Sequence, residues 1–111
     1  MGRVRRGDVR LVAGGVYAHK PRPAIVLQDE IFDALDSVTV CPLTTTAVDA
    51  PLLRVPIAST AESGLDADSF AMVDKVTTVR RSNVGAAIGA VSSQQLVEIE
   101  RRLLVFLGIA R

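Results

Sequence analysis

The chain has 111 residues, of which 49% are hydrophobic and 4% aromatic with no Trp, so one modest aliphatic core is expected and a disordered chain is excluded. Its formal net charge is +1, and a single Cys and a single His exclude both a disulfide framework and a multi-cysteine zinc site within one chain. No apolar run approaches the ~20 residues of a membrane span and residues 1–20 lack a signal peptide's apolar centre, so a single cytoplasmic domain over 1–111 is expected.

The predicted elements are short strands first and a helix last. The stretch "DVRLVA" (8–13) alternates apolar and polar residues and runs into Gly14-Gly15, a turn signal. "PAIVLQD" (23–29) and "SVTVCPL" (37–43) are β-branched runs of strand length, with Pro23 placed to start its strand and Cys41 read as a small core residue. "LLRVPI" (52–57) is a further strand whose Pro56 favours an edge or a bulge. "STAESGLDAD" (59–68) is a loop. "SFAMVDKVTTV" (69–79) reads as a strand that bends, and "GAAIGAVS" (85–92) as a weaker strand whose glycines suggest a bulge or a close backbone approach.

The period then changes. "SSQQLVEIERRLLVFLGI" places Leu96, Ile99, Leu103 and Phe106 on one helical stripe, Ser92 with Gln95 fits a capping box, and Gly108 fits a stop. The final turns, "LLVFLGI", are apolar nearly all round, so either the chain's own fold or a partner chain must cover them. The residues thus predict a β-rich domain of five to six strands with a helix over about 92–108.

Charge is segregated along the chain. Residues 1–28 carry six bases against Asp8, residues 29–74 carry nine acids against Arg54, and residues 75–111 are basic again. Such blocks can fold into a basic face suited to a polyanion. No Gly-x-Ser-x-Gly elbow and no phosphate-cradling Gly-rich loop occurs, and the carboxylates of 29–36 and 59–68 read as solvated loops. What remains is His19-Lys20-Arg22 before one strand and "TTT" (44–46) after another. Cations with threonine hydroxyls are a phosphate-binding set. RNA can be cut with little more: a base to take the 2′-OH proton, cations for the phosphorane and an acid for the leaving oxygen.

The ordered series "RRGDVRLV", "RPAIVLQDE", "VTVCPLTTT", "SGLDADSFAMVDKVTTVRRSNVG" and "IGAVSSQQLVEIERRLLVFLGI" resembles the MazF/PemK family over residues 5–109. The resemblance implies a mainly β (α+β) fold, a small SH3-like β-barrel of five to seven strands with a C-terminal helix, acting as a homodimer. It implies the toxin of a type II toxin–antitoxin pair that cuts single-stranded RNA without a metal or other cofactor, leaves 2′,3′-cyclic phosphate and 5′-hydroxyl ends, and is blocked by a cognate antitoxin. Carried over by position, the catalytic Arg matches Arg22 in "PRPAIV", the catalytic Thr matches Thr44 in "CPLTTT" with Thr45 beside it, and the assisting acid matches Asp74 in "MVDKVTTV". Lys20, Thr45, Thr46, Lys75 and Arg80 are the expected RNA-binding residues. The chain departs from the family in a loop cut to "GGVYAHKPRP", where His19 stands as a replacement acid or base with an unperturbed pKa near ~6.5, and at Met72, where some members carry Arg. Two rival readings follow from the same likeness. One is a gyrase poison of the CcdB type, whose C-terminal Trp this chain lacks. The other is an inactive relative that binds only RNA or antitoxin.

Overall fold

The computed structural model describes residues 3–14 and 17–110, with the side chains of residues 17–19 outside the description. The alternation of 8–13 becomes β1 (Asp8–Gly14), and the chain continues through β2 (Tyr17–Val26), β3 (Ser37–Thr44), β4 (Arg54–Ile57), β5 (Ser69–Met72), β6 (Thr77–Arg80), β7 (Val84–Ala90) and α1 (Ser93–Phe106). The strands form one antiparallel sheet in the order β4-β5-β3-β2-β1-β7, with β6 beside the first half of β3. The expected barrel is therefore a curled sheet that stays open, with no ladder from β7 to β4 or β6 among the described residues. The predicted bending strand is two strands, because a 3-10 turn at Val73–Lys75 breaks 69–79 and sends its second half to a different stretch of β3.

Pro23 does not start its strand: β2 begins six residues earlier, and Pro23 stands opposite Leu11 of β1. The β2–β3 ladder ends at Ala24 opposite Pro42, so both Pro21 and Pro23 lie where one flank of β2 has no β3 partner and a missing N–H is tolerated.

Side-chain alternation sorts the apolar residues onto two faces. Val9, Ile25, Cys41, Leu43, Val55, Ile57, Ala71 and Val73 form the main core, which Ile99 of α1 closes. Val12, Ala24, Val26, Val38, Val40 and Val79 form a smaller cluster on the opposite face of β1–β3. Arg10 is nearly fully buried on that second face, donating to Asp8, to the Gly85 carbonyl and to the Arg3 carbonyl. Each of those bonds repays part of the cost of burying its charge.

Two glycines set the 59–68 loop against β7. A Cβ on Gly64, where φ is +68°, would stand 1.7 Å from the Ile88 carbonyl, and one on Gly89 would stand 2.3 Å from the Ser63 backbone. The β1–β7 register shifts between Val9 and Arg10, beside Gly89, so the bulge and the close approach expected of that strand coincide.

Helix α1 is capped as its sequence indicates. Ser92 and Gln95 form a reciprocal capping box, while the Gly108 and Ile109 N–H groups return to the Val105 and Leu104 carbonyls with Gly108 at φ +75°. Ser92→Ala should therefore lower stability by about 1 kcal/mol, read as a shift of the urea midpoint with unchanged slope. Of the predicted stripe, Leu96, Ile99 and Leu103 meet the core, but Phe106 is half exposed because the helix runs on past the sheet. Leu104, Val105, Phe106, Leu107 and Ile109 are all exposed, so the chain's own fold does not cover its apolar end.

Cys41 is fully buried in the main core. Burial foremost, with the Asp74 charge adding and Arg54 opposing, pushes its thiol up to about 12. The thiolate nucleophile is thus absent at neutral pH. Alkylation by iodoacetamide at pH 8 should be roughly 10²-fold slower in native than in urea-denatured protein, and equal rates would contradict this burial.

Candidate functional site

The register of β2 on β3 sets Ala24 opposite Pro42 and Ile25 opposite Cys41. The ladder ends there, and Arg22 and Thr44 each lie two residues beyond its last pair, on its two strands. Ile25 and Cys41 face the main core, so Arg22 and Thr44, each in phase with Ala24 and Pro42, share the other face. They lie at the margin of the small valine cluster, with Arg22 exposed and Thr44 half buried. Behind Arg22, directly across β1, is the buried Val12. Arg22 makes no ion pair with any acid among the described residues.

Thr44 ends its strand in a hydroxyl turn: its Oγ1 accepts the Thr46 N–H at 3.1 Å. That bond uses a lone pair and leaves the hydroxyl proton free to donate outward. Thr45 and Thr46 follow in the exposed connection, and Lys20, two residues before Arg22 on the same face of β2, is exposed as well. Lys20 and Arg22 on β2 and Thr44–Thr46 on and after β3 thus all lie beyond the same end of the β2–β3 ladder. The His19 side chain lies outside the described residues, although its backbone belongs to β2.

Asp74 is close by but engaged. It occupies the 3-10 turn after β5 and accepts a hydrogen bond from Arg54, the residue opposite Met72 on β4, while Lys75 Nζ stands 3.7 Å from its other oxygen. The Arg54 and Asp74 side chains are only 13% and 20% exposed, so water screens the pair little. Partial burial pushes the Asp74 carboxyl upward. The Arg54 hydrogen bond and charge, a backbone hydrogen bond and Lys75 outweigh it and hold the carboxyl below its ordinary value. A carboxylate so held is a weak proton acceptor and a firm anchor. Local sequence does not name Arg54 as the partner of Asp74, although Arg54 stands as the lone base among the nine acids of residues 29–74.

The Arg54–Met72 row lies two residues along the sheet from the Pro56–Phe70–Thr44 row, about 7 Å. Arg80 is not part of this assembly. It pairs with Ser37 at the far end of β3, seven residues or about 23 Å from Thr44. Among the described residues no three His, Cys, Asp or Glu side chains converge as a metal site would need, and no helix is long and apolar enough to cross a membrane.

Residues 5–107 match the family described as PemK-like, MazF-like toxin of type II toxin-antitoxin system. The chain is 50% identical over 108 residues to a probable endoribonuclease MazF of Mycolicibacterium smegmatis, covering 96% of this chain and 99% of that protein. Its fold is similar to that of the MazE-MazF crystal structure from Deinococcus radiodurans, with a TM-score of 0.81, 19% identity, and 99% and 100% of the two chains covered. It is likewise similar to the Mycobacterium tuberculosis toxin MazF-mt6, with a TM-score of 0.80, 24% identity, and 94% and 99% covered.

Proposed function

The chain belongs to the PemK-like, MazF-like toxin family, and on that premise we propose that it is the toxin of a type II toxin–antitoxin pair, an endoribonuclease that cuts single-stranded RNA without a metal in the cytoplasm. The observation that supports this reading is that exposed Arg22, with no ion pair among the described residues, and Thr44 lie just beyond the last pair of β2 and β3, in phase with residues of the same sheet face.

The chemistry follows from those groups. The substrate's own 2′-OH attacks the neighbouring phosphorus, giving a five-coordinate, doubly charged phosphorane that collapses to a 2′,3′-cyclic phosphate and a 5′-hydroxyl. Arg22 donates to the oxygens on which that charge develops, and being exposed until RNA arrives it has no ion pair to break first. The Thr44 hydroxyl donates to a non-bridging oxygen and fixes the phosphate for in-line attack. Lys20, Thr45 and Thr46 hold the flanking phosphates. Asp74 acts through position, anchoring Arg54 and Lys75 beside the site, while His19, the chain's single imidazole, is assigned the proton transfers.

The relative from Deinococcus radiodurans was crystallised as MazE-MazF. By that likeness a cognate antitoxin is assigned as the inhibitor here. A homodimer is assigned because Leu104–Leu107 and Ile109 form an apolar helix end that the chain leaves uncovered.

The test is purified protein with a long single-stranded RNA in EDTA. Discrete cuts ending in 2′,3′-cyclic phosphate are expected. Intact RNA from folded protein would overturn the nuclease reading and favour a gyrase poison or an RNA binder.

A further inference from the structure

Phosphate-gripping cations cannot tell one base from another. Whatever selectivity the site has must come from a group that meets a base. The β3–β5 ladder sets Phe70 directly opposite Thr44, and the β4–β5 ladder sets Pro56 opposite Phe70. The neighbouring pair in the same ladder, Leu43 and Ala71, faces the main core, so Phe70 and Thr44 face away from it. Phe70 is half buried and joins neither apolar cluster of the described residues. Directly opposite cross-strand side chains start about 5 Å apart. None of the three Phe joins either apolar cluster, and among them Phe70 is the one that stands directly opposite the hydroxyl assigned to the phosphate.

We propose that Phe70, edged by Pro56, is the platform on which the nucleobase flanking the scissile phosphate stacks, a binding and specificity residue of the site. The proposal rests on the RNA-cutting reading above. Bases of single-stranded RNA are unstacked and available, and a ring one cross-strand step from the phosphate is within a nucleotide's own span. The row Thr44–Phe70–Pro56, with Arg22 assigned to the charge, then divides one nucleotide between charge, hydroxyl and π-face.

The experiment uses a short RNA containing a mapped cut site, made uncuttable by a 2′-deoxy residue there, and measures its binding to wild type, Phe70→Ala, Phe70→Leu and Phe70→Trp. Phe70→Ala should weaken binding about tenfold with the melting temperature little changed, Phe70→Trp should restore it, and Phe70→Leu should not. An abasic residue at one flanking position should weaken wild type by the same factor and add nothing to Phe70→Ala. Wild-type affinity in folded Phe70→Ala, full rescue by Phe70→Leu, or an undiminished abasic penalty would each overturn the platform. If wild type cuts no RNA, the nuclease reading fails by itself. The platform is then judged on a pool of short single-stranded RNAs, where Phe70→Ala must still weaken binding tenfold.

Discussion

Arg22→Ala should lower the rate of RNA cleavage by about 10²–10³-fold, the usual loss for a principal donor to a transition-state oxyanion. The protein should remain folded, because Arg22 is exposed and makes no ion pair among the described residues, and such surface changes typically shift stability by within about 0.5 kcal/mol. The loss should fall mainly on kcat, since the charge that Arg22 meets grows only as the phosphorane forms. Arg22→Lys should recover only part of it, because an ammonium cannot make the two parallel bonds of a guanidinium. Single-turnover cleavage with excess enzyme reads this directly, and an unimpaired Arg22→Ala protein would remove Arg22 from the chemistry.

The second large effect is on stability. Arg54→Ala leaves Asp74 largely buried without its main partner, which should cost about 3 kcal/mol at neutral pH. The pH dependence fixes the cause. In the wild type the Asp74 carboxyl is held below its unfolded value, so the stability it contributes is fully present above about pH 4 and is lost as pH falls through the lowered folded value. The gap between wild type and Arg54→Ala should therefore narrow below about pH 4. Asp74→Asn, which leaves no buried anion, should flatten that acid dependence. Urea unfolding at pH 7 and pH 3.5 compares the three proteins, and a gap independent of pH would mean that Arg54 stabilises by packing alone.

Local patterns made much of this fold legible before any coordinates. Alternation located β1 and β3, the change to a 3.6-residue period located α1, and Ser92, Gln95 and Gly108 marked its ends, because each is a signal contained within a few residues. Register between distant strands is not contained that way. Nothing near Asp74 names Arg54, twenty residues earlier, as its partner, and nothing near Thr44 names Phe70. Both contacts exist because β5 pairs with β4 on one side and β3 on the other. The same limit misplaced Arg80. Nothing near it says that β6 pairs with the first half of β3, which sets Arg80 opposite Ser37. Pro23 misled for a different reason, since proline permits an interior strand position wherever one flank is unpaired.

The most direct test of the account is cleavage of a short RNA in which the single 2′-hydroxyl at the mapped cut is replaced by hydrogen. The account predicts that this RNA binds with nearly the affinity of its parent and stays intact, because the nucleophile belongs to the substrate and Arg22 with Thr44 only organise the phosphate. Cleavage of the deoxy-substituted RNA at that same bond would contradict it, and would require a protein-activated water as nucleophile instead.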